Sequence, residues 1–185
     1  MNRGDSAKHL SRETVEALLA DLPPAPTDRG TVRWLIARGP DEARSTTTSV
    51  ALTVDGAFPG DRWSLAKDPE RRQQITVMEE PVGLRIANGQ SMTLFGDNLV
   101  VDLDLGSENL PVGSLLSVGG AKVEVTDKPH TGCKKYGERF GVDALAAIST
   151  PERKPRRLRG IHVRVITPGE LAVGDVIEVL RRGPA

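Results

Sequence analysis

The hydrophobic pattern of the chain changes period near residue 30. Before that point, Val15, Leu18, Leu19 and Leu22 recur at helical spacing behind Ser11. Ser11 suits a helix cap, and Glu13 and Glu16 suit the first turns that follow. Pro23-Pro24 and Pro26 stop this helix. Residues 1–10 are polar and expected to be flexible, so residues 1–30 read as a flexible N-terminus with one short amphipathic helix. A helix this short needs a surface to pack against, and it is expected to cover one end of the domain.

From Thr31 the period becomes that of strands. Val32, Trp34 and Ile36 alternate as one strand face, and residues 49–55 and 73–78 read as two further strands. Residues 98–105 form a longer apolar run interrupted by Asp102 and Asp104. Residues 115–118 and 122–126, joined by Gly119-Gly120, predict a hairpin. Residues 162–166 and 176–180 end the pattern, separated by Pro168-Gly169 and Gly174-Asp175. One segment departs from it: Val142, Leu145, Ala146 and Ile148 predict a short helix after Gly141. Many short strands punctuated by glycine predict a mostly β fold, a barrel or strongly curved sheet, over residues 31–185.

Composition narrows the classes. Lys plus Arg and Asp plus Glu balance at 25 each, so overall charge gives no attraction for nucleic acid. Aromatic residues make up 3% of the chain and do not alternate with basic ones, which argues against base stacking on RNA. The first residues lack the apolar stretch of a secretory signal, and no later apolar run is long enough to span a bilayer. Neither nucleic acid nor a membrane is expected as a partner, and a reducing cytoplasm is the expected setting. The single cysteine excludes an intrachain disulfide and a cysteine-rich zinc or iron–sulfur site.

That cysteine is the first chemical candidate. Cys133 follows His130-Thr131-Gly132 and precedes Lys134-Lys135, between the strand that ends near Thr126 and the helix after Gly141. A free cysteine can be a small core residue, a nucleophile, a sulfur carrier or a soft metal ligand. A thiol of pKa about 8.5 is only about 3% ionised at pH 7, and lowering it by about two units takes about 2.7 kcal/mol. Lys134, Lys135 and His130 can supply that if they point at the sulfur. His130 with Cys133 makes a candidate catalytic pair, although two ligands fall short of a closed zinc site. The second candidate is the basic segment 152–164, in which Arg159 precedes Gly160 at a loop–strand junction where a guanidinium can meet a phosphate or carboxylate. Gly60-Asp61 and Gly174-Asp175 read as turn architecture, whereas Asn98 has an amide that can hold a ligand or another loop.

Together these fragments resemble the MOSC domain, named after the C-terminal part of molybdenum cofactor sulfurases. The resemblance runs through Gly60-Asp61-Arg62, Gln74-Ile75-Thr76, Phe95-Gly96-Asp97-Asn98-Leu99, Pro111-Val112-Gly113, Cys133, Arg139-Phe140-Gly141, Arg159-Gly160-Ile161 and Gly169 to Asp175. It implies a curved mixed-sheet β-barrel with a few short helices. It also implies a link to molybdenum–pterin cofactor chemistry, with Cys133 as the residue that binds molybdenum or carries sulfur. Asn98, Lys134, Lys135, Arg159 and Arg164 become candidate cofactor-binding residues. Three functions follow as expectations. One is the cofactor-binding component of a reductase for N-hydroxylated compounds, fed by an electron-donor protein. The second is a sulfur carrier or transferase that forms a persulfide on Cys133, loaded by a cysteine desulfurase. The third is a non-catalytic module that binds an anion or a protein. Sulfurases resemble a fusion with a pyridoxal-phosphate-dependent domain, for which this chain has no room, so no resident pyridoxal phosphate is expected.

Overall fold

The computed structural model of the protein describes residues 4–184. The elements begin with α1 (Arg12–Ala20), β1 (Arg29–Arg38), β2 (Arg44–Thr47), β3 (Ser49–Leu52), β4 (Ile75–Glu79), α2 (Glu80–Ala87) and β5 (Leu99–Val101). They continue with β6 (Leu115–Val118), β7 (Ala121–Val125), α3 (Lys134–Phe140), α4 (Val142–Ile148), β8 (Ile161–Thr167), β9 (Gly169–Ala172) and β10 (Val176–Arg181).

Seven strands close a barrel in the order β10-β6-β7-β8-β4-β5-β1, and β1 returns to β10. Only β4 and β5 run parallel, since α2 crosses between them; the other barrel pairs are antiparallel. The expected mixed-sheet barrel is therefore the observed architecture. The predicted hairpin is present as β6 and β7, with Leu116 opposite Val123. β2 extends the sheet from the far end of β1, and β3 with β9 forms a separate ribbon.

The alternation of strand residues separates two apolar cores. Leu35, Ile75, Val77, Leu99 and Val101 point into the barrel. Ile36, Met78 and Val100, their neighbours on the opposite face, pack outside it against Val15, Val82, Ile86, Tyr136 and Phe140. The strands β4 and β5 are covered on both faces, so they read as continuous apolar runs rather than as alternation. The expected single face of Val32, Trp34 and Ile36 is corrected here. A bulge lies between Val32 and Trp34 in the pairing with β5. It shifts the phase, so Val32 faces the barrel, Ile36 faces the outer core, and Trp34 is half-exposed with its Nε1 donating to Glu80.

The N-terminal helix forms as predicted, with the Ser11 side chain accepting from the Thr14 amide. The segment before it departs from the expectation of looseness. Asp5 donates its amide to Gln90, Lys8 donates to the Gly89 carbonyl, and the His9 ring meets the Arg139 carbonyl at 3.2 Å. These contacts hold residues 4–10 over the C-terminal end of α3; the first three residues lie outside the described range. Among the described residues, no helix is long and apolar enough to cross a membrane.

Candidate functional site

The strand β1 ends, and the parallel strands β4 and β5 begin, at one rim of the barrel, which holds a buried polar hub. Asp61, which the sequence suggests only as a turn residue, sits at its centre. Its carboxylate accepts from the Arg38 amide and guanidinium at 2.8–2.9 Å, from the Trp63 amide at 2.9 Å and from Asn98 Nδ2 at 2.8 Å. Burial opposes its charge, but the bonds and charge of Arg38 prevail and hold the carboxyl below its usual range. Asn98 is fully buried, and its Oδ1 accepts from the Thr76 amide and hydroxyl while its Nδ2 also donates to the Ile36 carbonyl. Every hydrogen-bonding site of the amide is thus used inside the protein. The expectation that Asn98 holds a ligand is corrected: it ties β1, β4 and the Asp61 turn together.

Next to this hub lies a second, incompletely satisfied group. Arg159 donates to Asp97 at 2.5 Å and to the Phe95 carbonyl at 3.1 Å, and its guanidinium carbon lies 5.7 Å from the Tyr136 ring centre. His130 Nε2 is 3.6 Å from the other Asp97 oxygen, and its ring packs 4.5 Å from that of His162. Gly160 permits this approach: with φ at +105°, a Cβ there would stand 2.1 Å from the Val77 carbonyl oxygen and 3.3 Å from His130 Nδ1. Burial pushes the Asp97 carboxyl up against the pull of Arg159. Burial, reinforced by the Arg159 charge, drives His130 well below its ordinary value, and burial brings His162 down to about 4. Both imidazoles are therefore neutral at pH 7. Four buried polar atoms of this group have no hydrogen-bond partner among the described residues: Asp97 Oδ1, His130 Nδ1, Tyr136 Oη and Arg159 Nε. Groups of this kind are normally hydrogen-bonded, so this cluster is a place where the rim can accept a polar partner.

A third feature is an excess of positive charge beside Gly96. Arg44 Nε and Nη2 lie 3.1–3.2 Å from where a Gly96 Cβ would be, so the missing side chain leaves a cradle for the guanidinium. Arg38 and Arg139 are paired, with Asp61 and Glu42 respectively. Arg44 and Arg62 have no carboxylate partner among the described residues. Among the described residues Arg44 donates only to the adjacent Ala43 carbonyl, and its Nε is buried without a partner. Burial, followed by repulsion from Arg139, Arg62 and Arg38, pulls Arg44 down to about 10. Arg62 is lowered for the same reasons, burial first. Two carboxylates, Asp61 and Glu42, thus stand among four arginines, which favours an added anion.

Cys133 stands at the start of α3 and is exposed, so the core reading of this thiol does not apply. Its carbonyl accepts from the Tyr136 and Gly137 amides, which ties it to the helix that carries Tyr136. The charges expected around the sulfur are directed elsewhere. Lys134 is highly exposed and 3.9 Å from Glu138, while Lys135 pairs with Glu42. His130 faces Asp97 and His162, and makes no hydrogen bond to Cys133 among the described residues. Arg164 lies on β8 and pairs with Glu124 at 2.6 Å, away from the Asp97 group. Of the seven residues singled out from sequence, Arg159 and His130 meet directly around Asp97, and Lys135 joins the Glu42–Arg139 pair. Asp97, Tyr136, Arg44 and Arg62 complete the region. Asp97 and Arg62 lie within fragments that carried the resemblance, but nothing local marks Arg44 or Tyr136.

A closed mixed barrel with a polar rim and an exposed cysteine at a helix start defines the class. Residues 71–178 match the family model of the MOSC domain, and the chain belongs to this family, which is associated with molybdenum-cofactor-related proteins. Among solved structures, YiiM from Geobacillus stearothermophilus is similar, with a TM-score of 0.62 and 17% identity over 83% of this chain and 76% of that one. YuaD from Bacillus subtilis matches with a TM-score of 0.57 and 20% identity, over 82% of this chain and 95% of that one. YiiM from Escherichia coli matches with a TM-score of 0.54 and 20% identity, over 83% and 72%. At these identities the likeness is one of fold. A search of curated proteins finds no match.

Proposed function

We propose that this chain is the molybdenum–pterin-binding component of a reductase for N-hydroxylated compounds, with Cys133 as the metal ligand. The observation that best supports this is Arg44, half-buried beside Gly96 with no carboxylate partner among the described residues and with the exposed Arg62 among the cations that repel it. A phosphate, such as that of a pterin cofactor, supplies the counter-charge that this cluster lacks. An exposed thiol is the soft donor that a thiophilic metal requires. The residues therefore fit the group. When bound, the cofactor supplies the two-electron chemistry, with electrons delivered by a donor protein. The protein's own part is to bind the phosphate through Arg44 and Arg62 and to present Cys133 from α3. Tyr136 and Arg159, with their unpartnered Oη and Nε, orient what lies between.

Protein purified from a cofactor-producing host is expected to carry about one molybdenum per chain, consistent with a single thiolate ligand. Cys133→Ser should lose the metal with the fold intact, and Arg44→Gln with Arg62→Gln should lower pterin content. Metal-free wild-type protein from such a host would sink this reading. The exposure of Cys133 also favours a second one, sulfur carriage, since a persulfide must be reached by both donor and acceptor. Intact mass after incubation with a cysteine desulfurase should then show one added sulfur on Cys133 that cyanide removes.

A further inference from the structure

We propose that the cleft between residues 126–132 and 148–161 binds a small amphiphilic anion, an apolar aromatic or aliphatic body with a carboxylate or phosphate head held by Arg157. The cleft has a volume of about 420 Å³; neither Cys133, Arg44 nor Arg62 lines it, although it shares His130 and Arg159 with the Asp97 group. That is room for a small organic ligand. Val112, Ile148, Leu158 and Ile161 supply apolar walls.

Five cationic residues line the cleft, Lys128, Arg153, Lys154, Arg157 and Arg159, against one carboxylate, Asp127. Most of these charges are already matched. Lys128 pairs with Glu70, Arg153 with Glu16, Arg159 with Asp97, and Asp127 with Arg72. Arg157 and Lys154 are left without a carboxylate partner among the described residues. Lys154 is exposed, and water solvates it. Arg157 is half-buried, and burial alone lowers its pKa. Its Nη1 donates to the Leu110 carbonyl at 2.7 Å, which leaves the rest of the guanidinium fork free. Its backbone sits at φ 47° and ψ 45°, the left-handed region that a long side chain rarely adopts. The fold thus holds an arginine partly out of water, in an unfavourable backbone conformation and without a counter-ion, at the wall of an apolar cleft. Strain of this kind persists where the surroundings fix it, and it clusters at binding sites. An anion with an apolar body answers both the charge and the walls.

The proposal needs neither a metal nor Cys133. Isothermal titration with phenyl phosphate, benzoate, benzyl alcohol and inorganic phosphate tests it. At least one aromatic anion should bind one per chain, at least tenfold tighter than benzyl alcohol and than inorganic phosphate in the cleft. Arg157→Asn, chosen because asparagine tolerates the left-handed backbone, should weaken that binding at least tenfold, and Arg157→Lys should restore part of it. Val112→Glu, on an exposed wall, places a negative charge in the cleft and should also weaken it. If Arg157→Asn fails to fold, Val112→Glu decides. Arg44→Gln with Arg62→Gln should leave the aromatic anion bound, which separates this site from the proposed phosphate cluster. The idea is overturned if neither aromatic anion binds, if benzyl alcohol binds as well, if the cleft variants have no effect, or if only the Arg44 and Arg62 changes abolish binding.

Discussion

At the scale of single residues, the rim of the barrel contains two kinds of buried polar side chain. Asn98 and Asp61 are saturated: each hydrogen-bonding site meets a partner of fixed geometry. Removing one partner from such a network leaves the others unsatisfied. Asn98→Ala should therefore reduce unfolding free energy by about 3 kcal/mol in urea titrations, since the Thr76 amide, the Ile36 carbonyl and Asp61 all lose a partner. A loss under about 1 kcal/mol would show that water replaces the amide. The second kind, Asp97, His130, Tyr136 and Arg159, keeps unpartnered atoms and is where a guest is to be sought. Cys133→Ser, at an exposed position, should change stability by less than about 0.5 kcal/mol. Any larger effect of that substitution on function is then chemical.

At the scale of elements, α3 places both Cys133 and the aromatic wall of the site. Phe140 stacks on Phe95 with ring centres 3.9 Å apart, and Tyr136 tilts against both. Phe140 is fully buried, so Phe140→Ala should destabilise the protein by about 3–5 kcal/mol. Denaturant unfolding checks this, and a loss near 1 kcal/mol would show that α3 is held mainly by α4 and the N-terminal segment. The sequence does not announce this helix. Its apolar positions are only Tyr136 and Phe140, Gly137 sits inside it, and a lysine pair opens it. The helix α2 is obscured in the same way by Pro81 and by Gly83. Gly83 packs against the ends of Met92 and Met78, which would have to shift to admit a Cβ. The strand β2 is wholly polar and pairs on one side only, so it has no apolar alternation to detect. The β6–β7 hairpin, the strand β8 and the helix α4 were legible because their own residues carry the period.

At the scale of the whole molecule, buried titratable groups set opposite limits on stability with pH. His162 titrates at about 4 in the folded state, and His130 is also depressed, against about 6.5 in an unfolded chain. The unfolded state therefore takes up more protons as pH falls below about 6.5, and stability drops from there towards pH 4. Glu79 is the reverse case. Burial, only partly countered by Arg156, raises it to about 7, so the unfolded state releases its proton first and stability is lost as pH rises from about 4.5 to 7. Glu79→Gln should accordingly raise stability at pH 8 by an amount on the order of 3 kcal/mol, with the gain fading towards pH 4.5. Thermal unfolding of both proteins across pH 4–8 checks the sign. A gain that grew on acidification would show that the Arg156 contact, not burial, governs Glu79.

Local chemistry in the chain was enough to place most of the short strands, the glycine turns, the N-terminal cap and the cysteine loop, because each depends on residues close in sequence; β2 and β9 escaped it, and the exposure of Cys133 came from the fold. Their number and glycine punctuation predicted a barrel or strongly curved sheet, and the resemblance to the MOSC domain implied its mixed sheet. Tertiary structure decided which charges meet. The Asp97–Arg159 pair joins residues 62 positions apart, and Asp61 and Asn98 bond across 37. It also decided which arginines go unmatched, because a missing counter-ion is a property of the whole neighbourhood. Arg44, Arg62 and Arg157 look like ordinary surface charges in the chain. Only the fold sets Arg44 among other cations and Arg157 at an apolar wall, and it is there that the proposed anions are to be tested.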